Sequence, residues 1–333
     1  MATLHLPPPV AAQTAPSFYT PIARDLDEVE RILASSMAGR RPCVSPLVAH
    51  VRNYRGKRLR PALLLLTAHA CGRVTPPHHT LAAVVEMIHT ATLVHDDVLD
   101  SALVRRHVPT VNAGWDNQTS ILLGDYLFTH AFHLASTVDA EACRLIGEAT
   151  NRVCEGELQQ CSECGNLDLS EDDYLDMIDG KTAELTACCC RLGAAYSGKE
   201  PDIVERLAGY GRRLGIAFQI ADDLLDLVGE EQATGKSLGT DVDQRKLTLP
   251  LIYLLGHGTH EVRVRLRQIL SAPGNHKRDA LRPYLVQSEA IDYARSRAQD
   301  FAAQARAELA CLSPSPCRSH LESLTDRVVH RNT

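Results

Sequence analysis

The sequence predicts an all-α protein, a helical bundle built around a central cavity. Apolar residues recur at helical spacing, beginning with Leu26, Val29 and Leu33. No run of alternating apolar and polar residues indicates strands, and no Pro- or Ser-rich linker interrupts the middle of the chain. We therefore expect one domain over residues 17–333, preceded by a flexible extension over residues 1–16, where Pro and Ala are frequent.

The predicted helices follow one another along the chain, separated by helix-breaking residues. The helical pattern covers residues 81–102, 117–136, 141–164, 171–197, 202–228 and 247–256. Proline and glycine mark the breaks, at Pro61, Pro76-Pro77, Pro109, Gly198 with Pro201, and Gly235 to Gly239. One acidic pentapeptide occurs in two of these helices, which makes them the first place to look for function.

The composition is ordinary for a globular protein and argues against several classes of function. Of the 333 residues, 44% are apolar and 23% are charged, and the formal net charge is -6. An acidic balance argues against general binding to nucleic acid or to anionic membranes. Residues 1–20 contain no Arg or Lys, and no stretch approaches the ~20 apolar residues that span a bilayer. We expect a cytoplasmic protein without stable membrane insertion.

The cysteines indicate reduced thiols. The chain has 11 of them, an odd number with no secretory signal pattern. Cys161 and Cys164 form an isolated C-x-x-C with Cys154 nearby, but a zinc site would need a second ligand pair, and none is obvious in the sequence. The run over residues 188–190 is typical of small side chains packed within a helix.

Two acidic motifs of the form Asp-Asp-x-x-Asp carry the chemistry. The first runs from Asp96 to Asp100 and the second from Asp222 to Asp226. Helix positions four apart share a face, so each motif points two carboxylates in one direction. Such close carboxylates resist ionising together and need a positive partner. Mg²⁺ can be that positive partner, because it usually binds one or two carboxylates together with substrate phosphates. The alternative, a solvated acidic face, conflicts with the apolar residues that flank both motifs.

Basic residues alternate with the acidic motifs along the chain. They occur in Gly56-Lys57-Arg58-Leu59-Arg60-Pro61, in Arg105-Arg106, and at Lys181, Lys236 and Lys246. A basic cluster alone is usually a solvated face or a protein contact. Cations combined with carboxylates that need a metal are what a diphosphate site requires. The G-x5-G-K-S stretch over residues 229–237 has the wrong spacing for a nucleotide phosphate loop, and a helical pattern precedes it.

In this order, the motifs resemble those of the long-chain trans-polyprenyl diphosphate synthase family. The matching stretches are Gly56 to Pro61, Glu86 to Asp100, Arg105-Arg106, Pro109-Thr110-Val111-Asn112, Gly124-Asp125, Gly180-Lys181-Thr182, Phe218 to Asp226, Gly235-Lys236 and Lys246 to Pro250. The resemblance implies the all-α isoprenoid synthase fold, usually as a homodimer. It also implies a Mg²⁺-dependent prenyltransferase that joins an allylic diphosphate to isopentenyl diphosphate.

The resemblance also implies a role for each matching residue. The metal ligands would be Asp96, Asp100 and Asp222. The supporting catalytic carboxylates would be Asp97, Asp223 and Asp226. The allylic diphosphate would be held by Arg105, Lys181 and Lys236, with Gln219 close by, and Thr182 and Lys246 would also bind substrate. Isopentenyl diphosphate would be held by Lys57, Arg60, His89 and Arg106.

Three residues depart from the family pattern, each replacing a glycine. They are Arg55 before Gly56-Lys57, His107 after the arginine pair, and Arg245 before Lys246. All three add bulk beside expected phosphate ligands, and none of them removes a ligand.

The residues one to two turns before the first acidic motif predict the product length. Ala91 and Thr92 are small, and Ile88 is not aromatic. In the family, bulky aromatic residues there block the product tunnel, so we expect a product longer than geranylgeranyl diphosphate. The alternative is that Ala91 packs against a neighbouring helix and another residue forms the tunnel floor.

Three other functions are compatible with parts of the pattern. A terpene cyclase, or a head-to-head condensing enzyme of the same fold, also ionises diphosphates with aspartate-rich helices. It would not need the second basic set that contains Arg60 and His89. A subunit of a heteromeric synthase would typically lack some of the aspartates. A structural helical protein would bind no diphosphate.

Overall fold

The computed structural model describes residues 17–329 apart from residues 38, 40, 55, 230–237 and 275–276. The predicted extension over residues 1–16 and the predicted phosphate ligand Lys236 lie outside the described residues. Within them, no helix combines the length and the apolarity needed to cross a bilayer.

Helices account for nearly all of the regular structure, so the all-α prediction is confirmed. The α-helices are α1 (Ala23–Ser36), α2 (Ser45–Arg52), α3 (Leu59–Cys71), α4 (Pro76–Leu99), α5 (Val111–Gly114), α6 (Asn117–Ser136), α7 (Ala140–Ser162), α8 (Glu171–Ile178), α9 (Glu184–Ala195), α10 (Pro201–Val228), α11 (Thr240–Asp243), α12 (Leu249–His257), α13 (His260–Ser271), α14 (Lys277–Val286), α15 (Ala290–Glu308) and α16 (Pro316–Val329). Short 3₁₀ segments cover Ser17–Ile22 and Leu309–Cys311.

Side-chain caps explain where several helices begin. The carboxylate of Asp116 accepts from the backbone N–H of Thr119 at 2.6 Å and starts α6. Asp139 starts α7 in the same way. Asp, Ser and Thr are favoured at these positions because their oxygens satisfy backbone donors that have no partner inside the helix.

The longest helices form the walls of the bundle. Helix α10 is central and packs against α9 and α15, while α4 packs along α6. Leu63–Leu66 on α3 and Val84–Ile88 on α4 are almost wholly buried. The two aspartate motifs lie at the C-terminal ends of α4 and α10, so packing of these helices determines where the carboxylates point.

A short antiparallel strand pair departs from the strand-free expectation. It joins β1 (Val104–Arg105) to β2 (Val108–Pro109). The two residues between the strands, Arg106 and His107, have φ values of 51° and 65°. The pair therefore forms a tight hairpin directly after α4.

The predicted helix over residues 171–197 is interrupted by a π-helical turn. This turn covers Asp179–Ala183 and separates α8 from α9. A Cβ on Gly156 would lie 2.3 Å from the backbone N of Lys181, so the glycine allows α7 to approach the turn closely. Single π turns of this kind occur frequently at functional sites, and this one carries Lys181 and Thr182.

Candidate active site

A cleft of about 550 Å³, counted out to its open mouth, lies between the two aspartate-bearing helices. It receives Asp100 from the first motif and Asp223 from the second. Three other predicted residues, Lys181, Gln219 and Lys246, also line it. The two motifs, distant in sequence, thus contribute to one cleft.

The carboxylates of the first motif have different environments. Burial raises the pKa of Asp96 to about 6, and the nearby Lys181 ammonium opposes that shift. Asp97 is buried, and its carboxylate accepts from Arg105 Nε at 2.6 Å. Asp100 pairs with Lys246 Nζ at 2.9 Å. The cations that surround the motif show that its carboxylates need positive charge close by.

Asp223 of the second motif is enclosed by hydrogen-bond donors. Its two oxygens accept from the Tyr174 hydroxyl and from the Gln219 side-chain amide, each at 2.7 Å. The oxygen of that amide accepts from the Thr182 hydroxyl at 2.8 Å. Burial raises the pKa of Asp223 well above its usual value. This carboxylate is therefore placed to orient Gln219 rather than to face an ion.

Asp226 of the second motif contacts the start of α11. Asp226 accepts from the Thr240 hydroxyl at 3.1 Å and from the Asp241 backbone N at 3.2 Å. Asp241 lines the cleft, and burial raises its pKa to about 6. The negative charges of Asp226 and Asp222 add to that rise, which places all three carboxylates close to one another.

Lys181 connects the two walls of the cleft. Its ammonium pairs with Glu157 at 2.7 Å and donates to Gln160 at 2.5 Å. Burial raises the pKa of Asp96 on one wall and of Asp241 on the other, and the charge of Lys181 opposes both rises. Because such effects fall off with distance, one cation lies within reach of both acidic groups.

A second basic group lies beside α3 and α4. Burial, with the positive charges of Arg60 and Arg106, holds the pKa of His89 well below its usual value, so the imidazole is neutral. Arg60 Nε is buried and has no hydrogen-bond partner among the described residues. Arg106 donates to the Tyr54 carbonyl at 2.6 Å. A Cβ on Gly56 would lie 2.2 Å from the Arg106 guanidinium, so a larger residue there would displace that side chain.

The basic residues before α3 have different surroundings. Arg58, at φ 47°, pairs with Glu30 at 2.6 Å and with the buried Glu86 at 2.7 Å. It therefore ties α1 to α4. Lys57 is exposed beside it.

The predicted chain-length residues differ in burial. Ile88 and Ala91 are fully buried, and Thr92 is partly exposed. All three lie on α4 before the first motif. Their role in setting product length stays a prediction.

Sequence reasoning missed three residues that line the cleft and one that pairs with Lys181 beside it. The lining residues are Gln160, Tyr174 and Asp241, and the partner of Lys181 is Glu157. Asp241 was detectable as a carboxylate between Lys236 and Lys246 in the sequence. For the other three, the sequence alone carries no signal, because their partners are 21 to 49 residues away.

The residues present fit a hard divalent cation whose coordination would be completed by a bound substrate. Among the described residues, no three His, Cys, Asp or Glu side chains are close enough to hold a metal ion alone. Mg²⁺ usually takes only one or two carboxylates and completes its ligands with water and phosphate. Carboxylates on opposite walls of a cleft supply that kind of partial site.

Comparisons with known proteins agree with this geometry. The polyprenyl synthetase family model matches residues 41–286. The chain is 36% identical over 315 residues to all-trans-nonaprenyl-diphosphate synthase (geranyl-diphosphate specific) of Rhodobacter capsulatus, covering 93% of this chain and 96% of that protein. It is 33% identical over 321 residues to octaprenyl diphosphate synthase of Escherichia coli K12, covering 92% and 99%.

A solved structure gives the same result for the fold. Polyprenyl synthase from Caulobacter crescentus CB15, complexed with calcium and isoprenyl diphosphate, matches with a TM-score of 0.90 at 33% identity, covering 97% of this chain and 100% of that one. The fold is therefore the helical isoprenoid synthase fold, and the protein is a prenyltransferase. The chain belongs to the polyprenyl synthetase family.

Proposed function

We propose that this enzyme uses Mg²⁺ to join an allylic diphosphate to isopentenyl diphosphate, making an all-trans polyprenyl diphosphate longer than geranylgeranyl diphosphate. The observation that carries the proposal is the shared cleft, which is lined by Asp100 of the first motif, by Asp223 of the second, and by Lys181 and Gln219. The long-chain names of the R. capsulatus and E. coli relatives support the product class.

The two aspartate motifs would hold the metal and the allylic diphosphate. Asp96 and Asp100 would bind from one wall and Asp222 from the other. Bound Mg²⁺ would stabilise the negative charge that develops on the departing diphosphate. Lys181 and Arg105 would add fixed positive charge at the same place. Arg105 is held for this role by its bond to Asp97.

The second basic group would hold isopentenyl diphosphate. Arg60 carries a buried donor without a partner among the described residues, and Arg106 lies in the same group. The neutral His89 can donate one hydrogen bond without adding charge. Holding both substrates in place would let the double bond attack as the allylic carbon–oxygen bond breaks. A proton would then pass to the released diphosphate.

Apolar residues on the cleft wall would protect the allylic cation. Met177, Ile178 and Leu247 line the cleft beside the polar groups. An apolar, closed environment keeps water from capturing a cation. The growing chain would extend along α4, past Thr92 towards Ala91 and Ile88.

We propose that two copies assemble through the outer face of α6. Ile121 and Leu122 on α6 are 47% and 60% exposed, and Trp115 just before the helix is 45% exposed, which is high for large apolar side chains. Neighbouring exposed apolar residues often mark an interface.

We also propose one domain from residue 17 onward and a cytoplasmic location. The free cysteines are consistent with a reducing compartment.

One assay tests the proposed reaction. Purified protein would be incubated with Mg²⁺, farnesyl diphosphate and labelled isopentenyl diphosphate, and the product length would be read by mass. We expect products longer than geranylgeranyl diphosphate. A hydrocarbon or alcohol formed from farnesyl diphosphate alone would instead identify a cyclase. Activity that appears only with a second protein would identify a heteromeric synthase.

A further inference from the structure

One histidine of α4 contacts α6 directly beside the first aspartate motif. His95 precedes Asp96, and its Nε2 lies 3.0 Å from the main-chain oxygen of Ile121. A carbonyl can only accept, so this imidazole nitrogen carries the proton and donates. The carboxylate of Asp125 lies 3.6 Å from the same nitrogen, but it is 61% exposed and adds little. The bond to α6 is therefore the main polar contact of the ring.

The imidazole occupies a space that glycine leaves open. A Cβ on Gly124 would lie 2.0 Å from His95 Nε2 and 2.4 Å from Cδ2. No larger residue fits there without moving the ring. The Phe128 ring lies 5.8 Å from the His95 ring, centroid to centroid, and restricts the movement of the imidazole. Helix α6 thus holds this histidine by shape as well as by a hydrogen bond.

These contacts bear on the direction of the metal-binding carboxylates. Successive residues of an α-helix turn by about 100°. With His95 directed at α6 and Asp97 at Arg105, the intervening Asp96 is turned towards Lys181. Two contacts on different sides of α4 therefore fix the rotation of its last turn.

We propose that His95 is a positioning residue for the carboxylates of Asp96 and Asp100. It acts through α6, by holding the last turn of α4 at the rotation that a shared metal requires. The inference rests on the proposed function, because it assumes that these carboxylates bind Mg²⁺. Residues that orient metal ligands typically change metal affinity or activity by about 10–100-fold when they are replaced.

The test measures the Mg²⁺ concentration that gives half-maximal condensation. His95→Leu keeps the bulk of the ring but loses the donor, and we expect the half-maximal Mg²⁺ concentration to rise about tenfold or more. His95→Gln can place an amide N–H at the same carbonyl, and we expect it to restore most of the wild-type value. The control is His260→Leu at an exposed position of α13, which should leave the Mg²⁺ requirement unchanged.

Gly124→Ala tests the same contact from the other helix. It displaces the imidazole without changing any residue of α4, so it should raise the Mg²⁺ requirement as well. It replaces His95→Leu if that variant does not fold. A lower unfolding temperature with an unchanged Mg²⁺ requirement in the folded variants would overturn the proposal. Wild-type protein with no Mg²⁺-dependent condensation would instead overturn the proposed function itself.

Discussion

At the scale of single residues, two departures from the family pattern place a side-chain-bearing residue in a strained backbone conformation. His107 and Arg245 stand where glycine is usual, and they have φ values of 65° and 62°. This left-handed region costs a side-chain-bearing residue roughly 1–2 kcal/mol. Both residues therefore keep a glycine-like backbone despite the strain, next to Arg106 and Lys246, which we propose to bind phosphate.

Replacing His107 should reveal that strain. His107 is exposed, so His107→Gly loses little contact, and we expect the free energy of unfolding to rise by about 0.5–1 kcal/mol. His107→Ala is the matched control, because it removes the same side chain but keeps the strained backbone. Chemical denaturation would measure both variants. Equal stability of the two would show that the hairpin is not strained.

Asp96 should destabilise the metal-free protein at neutral pH. Burial raises its folded pKa to about 6 from a model-peptide value near 3.9. The folded state therefore binds its proton more tightly than the unfolded state does. Stability is highest below the unfolded pKa and falls as pH rises through the folded value. Asp96→Asn, which cannot ionise, should be more stable than wild type by about 1–3 kcal/mol at pH 8, with little gain at pH 4.

Unfolding of both proteins across that pH range, without divalent ions, is the measurement. Asp96→Asn should also lose nearly all condensation activity. A stability difference that stays constant from pH 4 to pH 8 would contradict the burial of this carboxyl.

At the scale of helices, most of the correct predictions came from hydrophobic periodicity. Residues 117–136 form α6 over the predicted range, where Asp116 supplies a cap. The predicted helix over residues 171–197 misses the π turn at Asp179–Ala183. No neighbouring residue in the sequence indicates that turn, because it depends on the close approach of Gly156 on α7 to the backbone of Lys181. The same holds for Tyr174, whose bond to Asp223 spans 49 residues.

Helix α4 should set the product length. We expect Ala91→Phe and Thr92→Phe to shorten the product, because an aromatic ring there would block the growing chain. Ala91 is fully buried, so overpacking could cost about 1–3 kcal/mol, and Thr92 provides the milder site. Thr90→Phe is the control, since its side chain is directed about 200° around the helix from that of Thr92. Wild-type lengths from both test variants would place the tunnel floor elsewhere.

At the scale of the whole molecule, the exposed face of α6 has the clearest consequence. A dimer through this face would bury Ile121 and Leu122. We expect the double variant Ile121→Asp and Leu122→Asp to behave as a monomer in light scattering, because charged side chains are disfavoured at an interface core. Val264→Asp, at another exposed apolar residue, should not change the assembly. A dimer that persists in the double variant would require a different interface.

The proposed reaction requires two helices that are distant in sequence, α4 and α10, to act on one diphosphate. The most direct measurement is calorimetry with an unreactive allylic thiolodiphosphate, with and without Mg²⁺, on wild type, Asp96→Asn and Asp222→Asn. We predict Mg²⁺-dependent binding to wild type that either substitution alone weakens by about tenfold or more. Full Mg²⁺-dependent binding in one of the two variants would show that the carboxylates of α4 and α10 do not share a metal–diphosphate site.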